Sequence, residues 1–279
     1  MMIGDTFKAA CLQVNAGTDM TQNIDAAARL AVEARAAGAE LILMPENVAM
    51  MEWGRTNIVM KAQAEAEHQA LAAFREIAKE LGCFLHTGTL HVLLDGGMVA
   101  NRSYVIDKNG LILGRYDKIH MFDVDLGGGE SYRESATFTP GDRATMVRLP
   151  WGRLGLSVCY DLRFPHLYRA YANAGAHFLA VPAAFTRTTG RAHWHVLLRA
   201  RAIETGCYVF APAQCGTHAN NRETYGHALI VSPWGEILAD GLEQPGFVMA
   251  EIDVRKVDDA RKKIPCLDHD RAFIAPVRD

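Results

Sequence analysis

Cysteine carries the most nucleophilic side chain that a protein offers near neutral pH. One of the six in this 279-residue chain, Cys159, sits where a strand must end. In RLGLSVCYDLRFP, residues 153–165, Leu154, Leu156 and Val158 alternate with Gly155 and Ser157, as in a strand with one packed face, and the alternation breaks at Cys159-Tyr160-Asp161. Pro165 is placed to open a helix through HLYRAYANAG, with Leu167, Ala170, Tyr171 and Ala174 at helical spacing and Gly175 as its stop. A strand, tight turn and helix with the cysteine at the turn expose the sulfur above a sheet and aim backbone N–H groups at any oxygen held against it. This is the geometry of a nucleophile elbow, without its usual G-x-S-x-G motif. A lone cysteine after an apolar strand is more often a small buried hydrophobe, so the functional reading depends on a base and a cation elsewhere in the chain.

Two charged residues stand at comparable places. Glu46 follows the apolar run ELILM and Pro45, and Lys118 comes where the strand before it runs out, in RYDKIHMFD. Alone, Glu46 fits a turn cap and Lys118 a solvated surface charge. With Cys159 they make the minimum kit for acyl transfer. A thiol needs a base to become a thiolate, a carboxylate in a desolvated pocket can serve, and a nearby ammonium lowers the thiol pKa and stabilises a developing oxyanion. The 11 histidines keep a Cys-His pairing open as the alternative.

The elements that must position these residues alternate along the chain. Apolar periodicity predicts a strand over 7–14, a helix over 21–37 capped at Thr21-Gln22-Asn23 and stopped at Gly38, a buried strand over 40–44, and a helix over 64–81 ended by Gly82. Strands are expected over 83–91, 99–107 and 111–118, the last two joined by a hairpin turn at Lys108-Asn109-Gly110. LGGGESYRES, residues 126–135, reads as glycine-rich and irregular. Strands over 145–149 and 153–158 then lead to Cys159. A strand over 177–182, the loop FTRTTGR, a helix over 192–205 and strands over 207–213, 227–231, 236–239 and 248–252 follow, with a last helix over 254–263 before an irregular tail. Short buried strands alternating with helices indicate an α/β fold, and the hairpins make its sheets mixed. Two such halves packed sheet to sheet predict a four-layer α-β-β-α sandwich, a single domain over residues 1–279.

Composition narrows the function. With 49% hydrophobic and 22% charged residues and a net charge of −3, the chain offers no electrostatic footprint for nucleic acid or an anionic membrane. The N-terminal MMIGDTFKAACLQVN has no apolar run of signal-peptide length, and no segment approaches a membrane span, so a cytoplasmic protein is expected. The six cysteines are scattered without a C-x-x-C pair and read as reduced thiols.

Taken in order, LILMPEN, YDKIHMFDVD and GLSVCYDLRFP resemble the nitrilase superfamily of carbon–nitrogen hydrolases, and the likeness runs over nearly the whole chain. The resemblance implies that Glu46 is a general base, that Lys118 stabilises the tetrahedral intermediate, and that Cys159 is the nucleophile, with the backbone N–H of Tyr160 sharing the oxyanion hole. A second, structural glutamate precedes a P-G-D turn in many members. Glu134, in RESATFTPGD, takes that place here, with Glu130 the competing assignment. The blocks PAAFTRTTGRAHWHVLLRARAIETGCYVFAPAQCG and TYGHALIVSPWGEIL look most like the Nit branch, although His166 stands where many relatives carry an acidic residue.

That branch implies amide hydrolysis through a thioester, with no metal or organic cofactor. The expected partner is a small-molecule amide of an α-keto acid, deaminated glutathione first and 2-oxoglutaramate (an ω-amidase substrate) second. N-carbamoyl amino acids and aliphatic amides are further alternatives, and a non-catalytic scaffold fits the residues least. A keto acid brings a carboxylate, for which Arg163 is the candidate grip and a pair with Asp161 the competing account. The resemblance adds Phe185 and Thr189 to the substrate site, and implies a homodimer formed through the helices flanking the nucleophile, with Tyr168, Tyr171 and the helix after His193 as contacts. His193, Trp194 and His195 look like a ligand cluster, but they lie on a helix that must pack one face, so Trp194 is read as core or interface and no metal is expected.

Overall fold

A computed structural model describes residues 5–277. The first four residues of the N-terminal stretch and the last two of the tail lie outside the described residues. The first half of the chain runs β1 (Thr6–Val14), α1 (Met20–Ala36), β2 (Leu41–Leu43), α2 (Arg55–Lys61), α3 (Gln69–Leu81), β3 (Phe84–His86), β4 (Leu90–Leu93), β5 (Val99–Ile106) and β6 (Ile112–Asp117). A small separate hairpin follows, β7 (Asp123–Asp125) and β8 (Ser131–Arg133). The second half runs β9 (Met146–Leu149), β10 (Gly152–Leu156), α4 (Pro165–Asn173), β11 (Phe178–Ala180), α5 (Arg187–Thr205), β12 (Tyr208–Ala211), β13 (Ala213–Thr217), β14 (Glu223–Tyr225), β15 (Leu229–Val231), β16 (Ile237–Asp240), β17 (Gly246–Asp253) and α6 (Arg255–Lys263).

These strands make two mixed sheets. One has the order β14-β13-β1-β2-β3-β5-β4, with β17 on β1 and β6 on β5, and the other the order β16-β15-β12-β11-β10-β9. The alternation of side chains along β1 and β2 sorts the core into layers. Ala9, Cys11, Leu41 and Leu43 join Leu154, Leu156, Leu179 and Phe210 of the second sheet in one buried cluster, while Ala10, Leu12 and Ile42 pack with Ala27, Ala31, Leu71 and Phe74 of α1 and α3. Leu167, Tyr171, Trp194 and Leu198 of α4 and α5 cover the second sheet from outside. The order is helices, sheet, sheet, helices: the expected α/β four-layer sandwich.

Several boundaries differ from the sequence reading. Asp19, not Thr21, caps α1 by accepting the Gln22 N–H at 3.1 Å. Asn23 is instead turned inward, its amide donating to the carbonyls of Gly17 and Ala49. The strand expected over 83–91 is two strands, because Gly88 turns the chain with a φ of 61° and leaves no room for a side chain: a Cβ there would lie 1.9 Å from the Pro45 carbonyl oxygen. The strand expected over 207–213 also divides. Pro212 separates β12 of the second sheet from β13 of the first, so the chain changes layer there. The loop FTRTTGR is the first turn of α5, with the Thr186 side chain accepting the Thr189 N–H. Tyr168 and Tyr171, expected at a subunit contact, are buried, their hydroxyls bonded to Ser157 Oγ at 2.8 Å and the Leu156 carbonyl at 2.5 Å.

Candidate active site

Each of the three reactive side chains comes from the end of an element on the seam between the sheets. Glu46 follows β2, and its loop is tied from both sides: Gln214 Nε2 of β13 donates to the Glu46 carbonyl at 2.9 Å, and the Asn47 N–H to Thr89 Oγ1 at 2.9 Å. Lys118 follows β6. Its N–H donates to the Asn101 carbonyl and its own carbonyl accepts the Gly141 N–H at 2.8 Å, so the Pro140-Gly141-Asp142 turn packs directly on it. Gly141 is obligatory there, since a Cβ would meet the Asp117 carbonyl oxygen at 2.4 Å. Cys159 follows β10 at the start of a single 3-10 turn, residues 159–163.

The backbone at Cys159 is strained. Cys159 has a φ of 49°, in the left-handed region that a residue with a Cβ adopts at a cost of order 1–3 kcal/mol. The surroundings hold it there. Its N–H donates to the Pro182 carbonyl at 3.0 Å, and the buried Asp161 carboxylate accepts the Val158 N–H at 2.8 Å. Asp161 is fixed in turn by the Tyr116 hydroxyl, the His120 N–H and His120 Nδ1 at 2.6–3.0 Å. That carboxylate is therefore committed to the elbow, and the pairing with Arg163 does not occur.

Lys118 is the hub of the charges. Its Nζ donates to Glu46 Oε1 at 3.0 Å and to both Glu134 oxygens at 2.9 and 2.8 Å. Glu134 also accepts the Phe122 N–H at 2.6 Å, while Glu46 Oε2 accepts the Ala184 N–H at 2.8 Å. Glu134, rather than Glu130, is the second carboxylate beside the lysine; Glu130 instead accepts from the Tyr132 and Thr188 hydroxyls. Asn101, which the sequence reading passed over, donates its amide to Glu46 Oε1 at 3.0 Å and Glu134 Oε1 at 3.3 Å. No clear signal marked it, since Arg102 and Ser103 follow it in β5 and a polar run of three reads as an exposed stretch.

Burial and charge set the protonation states. Burial pushes the Glu46 carboxyl up, but the Lys118 ammonium and the hydrogen bonds outweigh it and hold the group below the usual carboxylate range. Burial pulls Lys118 down, and the Glu134 and Glu46 carboxylates more than restore it, so its ammonium persists. Burial and then the Glu46 carboxylate drive the Cys159 thiol well above its ordinary value, and Lys118 only partly offsets them. The sequence reading gave the ammonium the upper hand over the thiol. With a carboxylate beside the sulfur, the ground state is instead a neutral thiol facing an ionised base.

These groups line a cavity of about 380 Å³. Glu46, Lys118, Glu134 and Cys159 all contribute to its wall, as do Tyr160, Phe185 and Thr189. Arg163 does not. Its guanidinium sits behind the wall, 5.3 Å from the Phe185 ring centroid and 5.9 Å from that of Tyr160, and within 3.4 Å of His193 Nδ1. Arg55, Arg133 and Arg222 are cations on the wall itself that were not anticipated. Tyr160 is in the first turn of its 3-10 helix, where N–H groups lack an intrahelical acceptor and can face a ligand. Trp194 is fully buried and donates to the His227 carbonyl at 2.8 Å, as core. His195 joins His227 and Asp240 in a group whose ligand atoms lie within 4.8 Å of one another, away from the cavity wall; Asp240 already bonds each ring, at 3.1 and 2.8 Å.

A thiol at a strained elbow, a carboxylate held below its usual range and an ammonium converge on one cavity, the set of groups that acyl transfer through a cysteine requires. Residues 8–262 match the carbon–nitrogen hydrolase family, and the chain belongs to it. It is a hydrolase acting on amides. Among its relatives is the deaminated glutathione amidase of Synechocystis sp. (strain PCC 6803 / GT-S), 41% identical over 96% of this chain and 99% of that one. The crystal structure of the C. elegans NitFhit protein superposes with a TM-score of 0.90 at 35% identity, over 97% of this chain and 66% of that one. Saccharomyces cerevisiae Nit3, a member of branch 10 of the nitrilase superfamily, superposes at 0.85 with 25% identity, over 95% and 96%.

Proposed function

We propose that this hydrolase cleaves the side-chain amide of a small α-keto acid, deaminated glutathione before others, releasing 2-oxoglutarate and cysteinylglycine. The observation that carries the reading is the Glu46–Lys118–Cys159 constellation, buried together at one cavity and braced by Glu134. The near full-length likeness to an amidase of that name supports the choice of substrate.

The chemistry follows from the protonation states. Glu46 takes the Cys159 proton as the sulfur attacks the amide carbon, and the oxyanion that forms is held by the Lys118 ammonium and the Tyr160 N–H. The proton then passes from Glu46 to the amide nitrogen, the C–N bond breaks, and the amine leaves. A thioester remains on Cys159. Glu46 next deprotonates a water that attacks the thioester, the C–S bond breaks, and the proton returns to the sulfur. Glu134 keeps Lys118 charged and aimed throughout. Arg163 lies behind the cavity wall, so the keto acid's carboxylate falls instead to the cations on the wall itself, Arg55 and Arg133, with Thr189 also lining the cavity.

The test compares release of 2-oxoglutarate from deaminated glutathione and from 2-oxoglutaramate, for the wild type and Cys159→Ala. Higher kcat/KM on the tripeptide analogue, abolished by the substitution, is the expected result. Preference for 2-oxoglutaramate would make the protein an ω-amidase. Inactivity on both would overturn the keto-acid reading and leave N-carbamoyl and aliphatic amides.

We also infer a cytoplasmic homodimer. Six free cysteines suit a reducing compartment, and no helix among the described residues is long and apolar enough to cross a membrane. On α5, Val196 and Ile203 are exposed, as a helix awaiting a partner would have them. Light scattering after size exclusion tests the dimer, and a monomer at micromolar concentration would overturn it.

A further inference from the structure

A second cavity, of about 270 Å³, adjoins the catalytic one and shares Trp53, Ser131, Tyr132 and Arg222 with it. It lies between the β7–β8 hairpin, the first turn of α5 and the segment before β14, and the acyl chemistry described above does not use it. Its wall is polar and carries two arginines, Arg187 and Arg222. Arg187 is paired loosely with Glu223, at 3.4 Å. Arg222 has no carboxylate partner among the ion pairs of the described residues: one nitrogen donates to the Ala184 carbonyl at 2.9 Å, the guanidinium lies 5.3 Å from the Tyr132 ring centroid, and the buried Nε has no acceptor. Glu130, the other acid on this wall, is occupied by the Tyr132 and Thr188 hydroxyls. A guanidinium with no carboxylate partner, lining a polar cavity, prefers one from a ligand.

An amide has two halves, and the catalytic cavity must hold the acyl half against Cys159. The amine half has to extend from the same carbonyl carbon into adjoining space. We propose that the second cavity is the subsite for the amine half, and that it selects amines bearing a terminal carboxylate about one dipeptide from the scissile nitrogen, gripped by Arg222 and Arg187. Two extended residues span roughly 7 Å, and the two cavities are continuous through Trp53, Ser131, Tyr132 and Arg222, so an amine half of that length has adjoining space to enter. This rests on the amidase reading and extends it: a small amide whose leaving group is ammonia would leave the second cavity unused, and a peptide-like amide would fill it.

The acyl-enzyme offers a test that does not depend on which acyl group is physiological. In reverse of acylation, an added amine attacks the thioester carbon, the C–S bond breaks, and the amine proton passes through Glu46 to the sulfur, giving a new amide and free Cys159. An acyl-enzyme formed from any accepted amide is allowed to partition between water and glycylglycine, or glycylglycine amide, at equal concentration. Capture by glycylglycine is expected to exceed capture by its amide about tenfold, as one charge-assisted contact would give. Arg187→Gln and Arg222→Gln should each reduce that ratio toward one. Because both dipeptides meet the same acyl-enzyme, any general damage from losing the Arg222 bond to Ala184 cancels in the ratio. Calorimetry on Cys159→Ala provides a reading without turnover, with glycylglycine binding more tightly than its amide. Equal capture by the wild type, equal binding, or an undiminished preference in both variants would overturn the subsite. Failure of the keto-acid assay alone would overturn only the choice of acyl group.

Discussion

Burial and the Glu46 carboxylate push the Cys159 thiol well above its ordinary value, so the proposed mechanism needs no pre-formed thiolate and its rate depends on the base beside the sulfur. Glu46 must be ionised to act, and its carboxyl is held below the usual range, so kcat/KM should stay level through neutral pH and fall only as the pH drops through that lowered value. Lys118, raised by the two carboxylates, imposes no loss on the mildly alkaline side. Glu46→Gln should cost about 10²–10⁴-fold in kcat/KM, the usual worth of a general base, while circular dichroism stays native. Asn101→Ala is the more discriminating change. It removes a donor from both carboxylates, which raises the Glu46 pKa, so the acid limb of the pH–rate profile should move upward while kcat falls about tenfold. A slower enzyme with an unmoved acid limb would show that Asn101 acts by packing alone.

At the scale of elements, the loop after β2 matters most, because its backbone aims Glu46. Gly88→Ala should disrupt that loop from across the sheet: it sets a side chain at a φ of 61° and presses a Cβ into the Pro45 carbonyl. A loss of roughly 3 kcal/mol or more in denaturant unfolding is expected, together with lost activity, and a change below about 1 kcal/mol would mean that the loop gives way easily. Much at this scale was legible in sequence. The apolar runs before Glu46 and Cys159 end where the strands end, and Pro165 and Gly175 do bound α4. Periodicity failed where three-residue strands carry too little pattern, as in β7 and β8 within a glycine-rich stretch, and where one apolar run serves two sheets, as across Pro212. A period of two reports which face a residue takes and is silent about which sheet receives the strand. Asn101 and Arg222 escaped for a related reason: Asn101 reaches Glu46 through the strand order β2-β3-β5 of one sheet, and Arg222 reaches Tyr132 across nearly a hundred residues of chain, and no local spacing encodes either contact.

The whole molecule carries a pH liability in its first sheet. His86 ends β3 and His91 lies in β4, both buried, and each has a ring nitrogen without a partner. Burial pushes His86 down to about 3 and His91 to about 4, from an ordinary 6.5. The unfolded chain therefore binds these protons near pH 6.5 and the folded one does not. Stability from keeping them neutral is fully present above that value, and is lost progressively as the pH falls toward 4 and 3. At pH 5 the difference amounts to about 2 kcal/mol for each histidine, a large share of the stability of an ordinary domain. Glu46 does not confuse the comparison, because a carboxyl held low gives up its contribution only below its unfolded value of 4.5. Guanidinium unfolding at pH 7.5 and pH 5 should show a fall of several kcal/mol in the wild type. In His86→Asn, whose side-chain oxygen can still accept the Gly88 N–H now taken by Nδ1, the fall should be smaller by about 2 kcal/mol. An equal fall in both proteins would show that His86 takes up its proton in the folded state, by water entry or by movement of the Thr87–Thr89 turn, and that the acid sensitivity lies elsewhere.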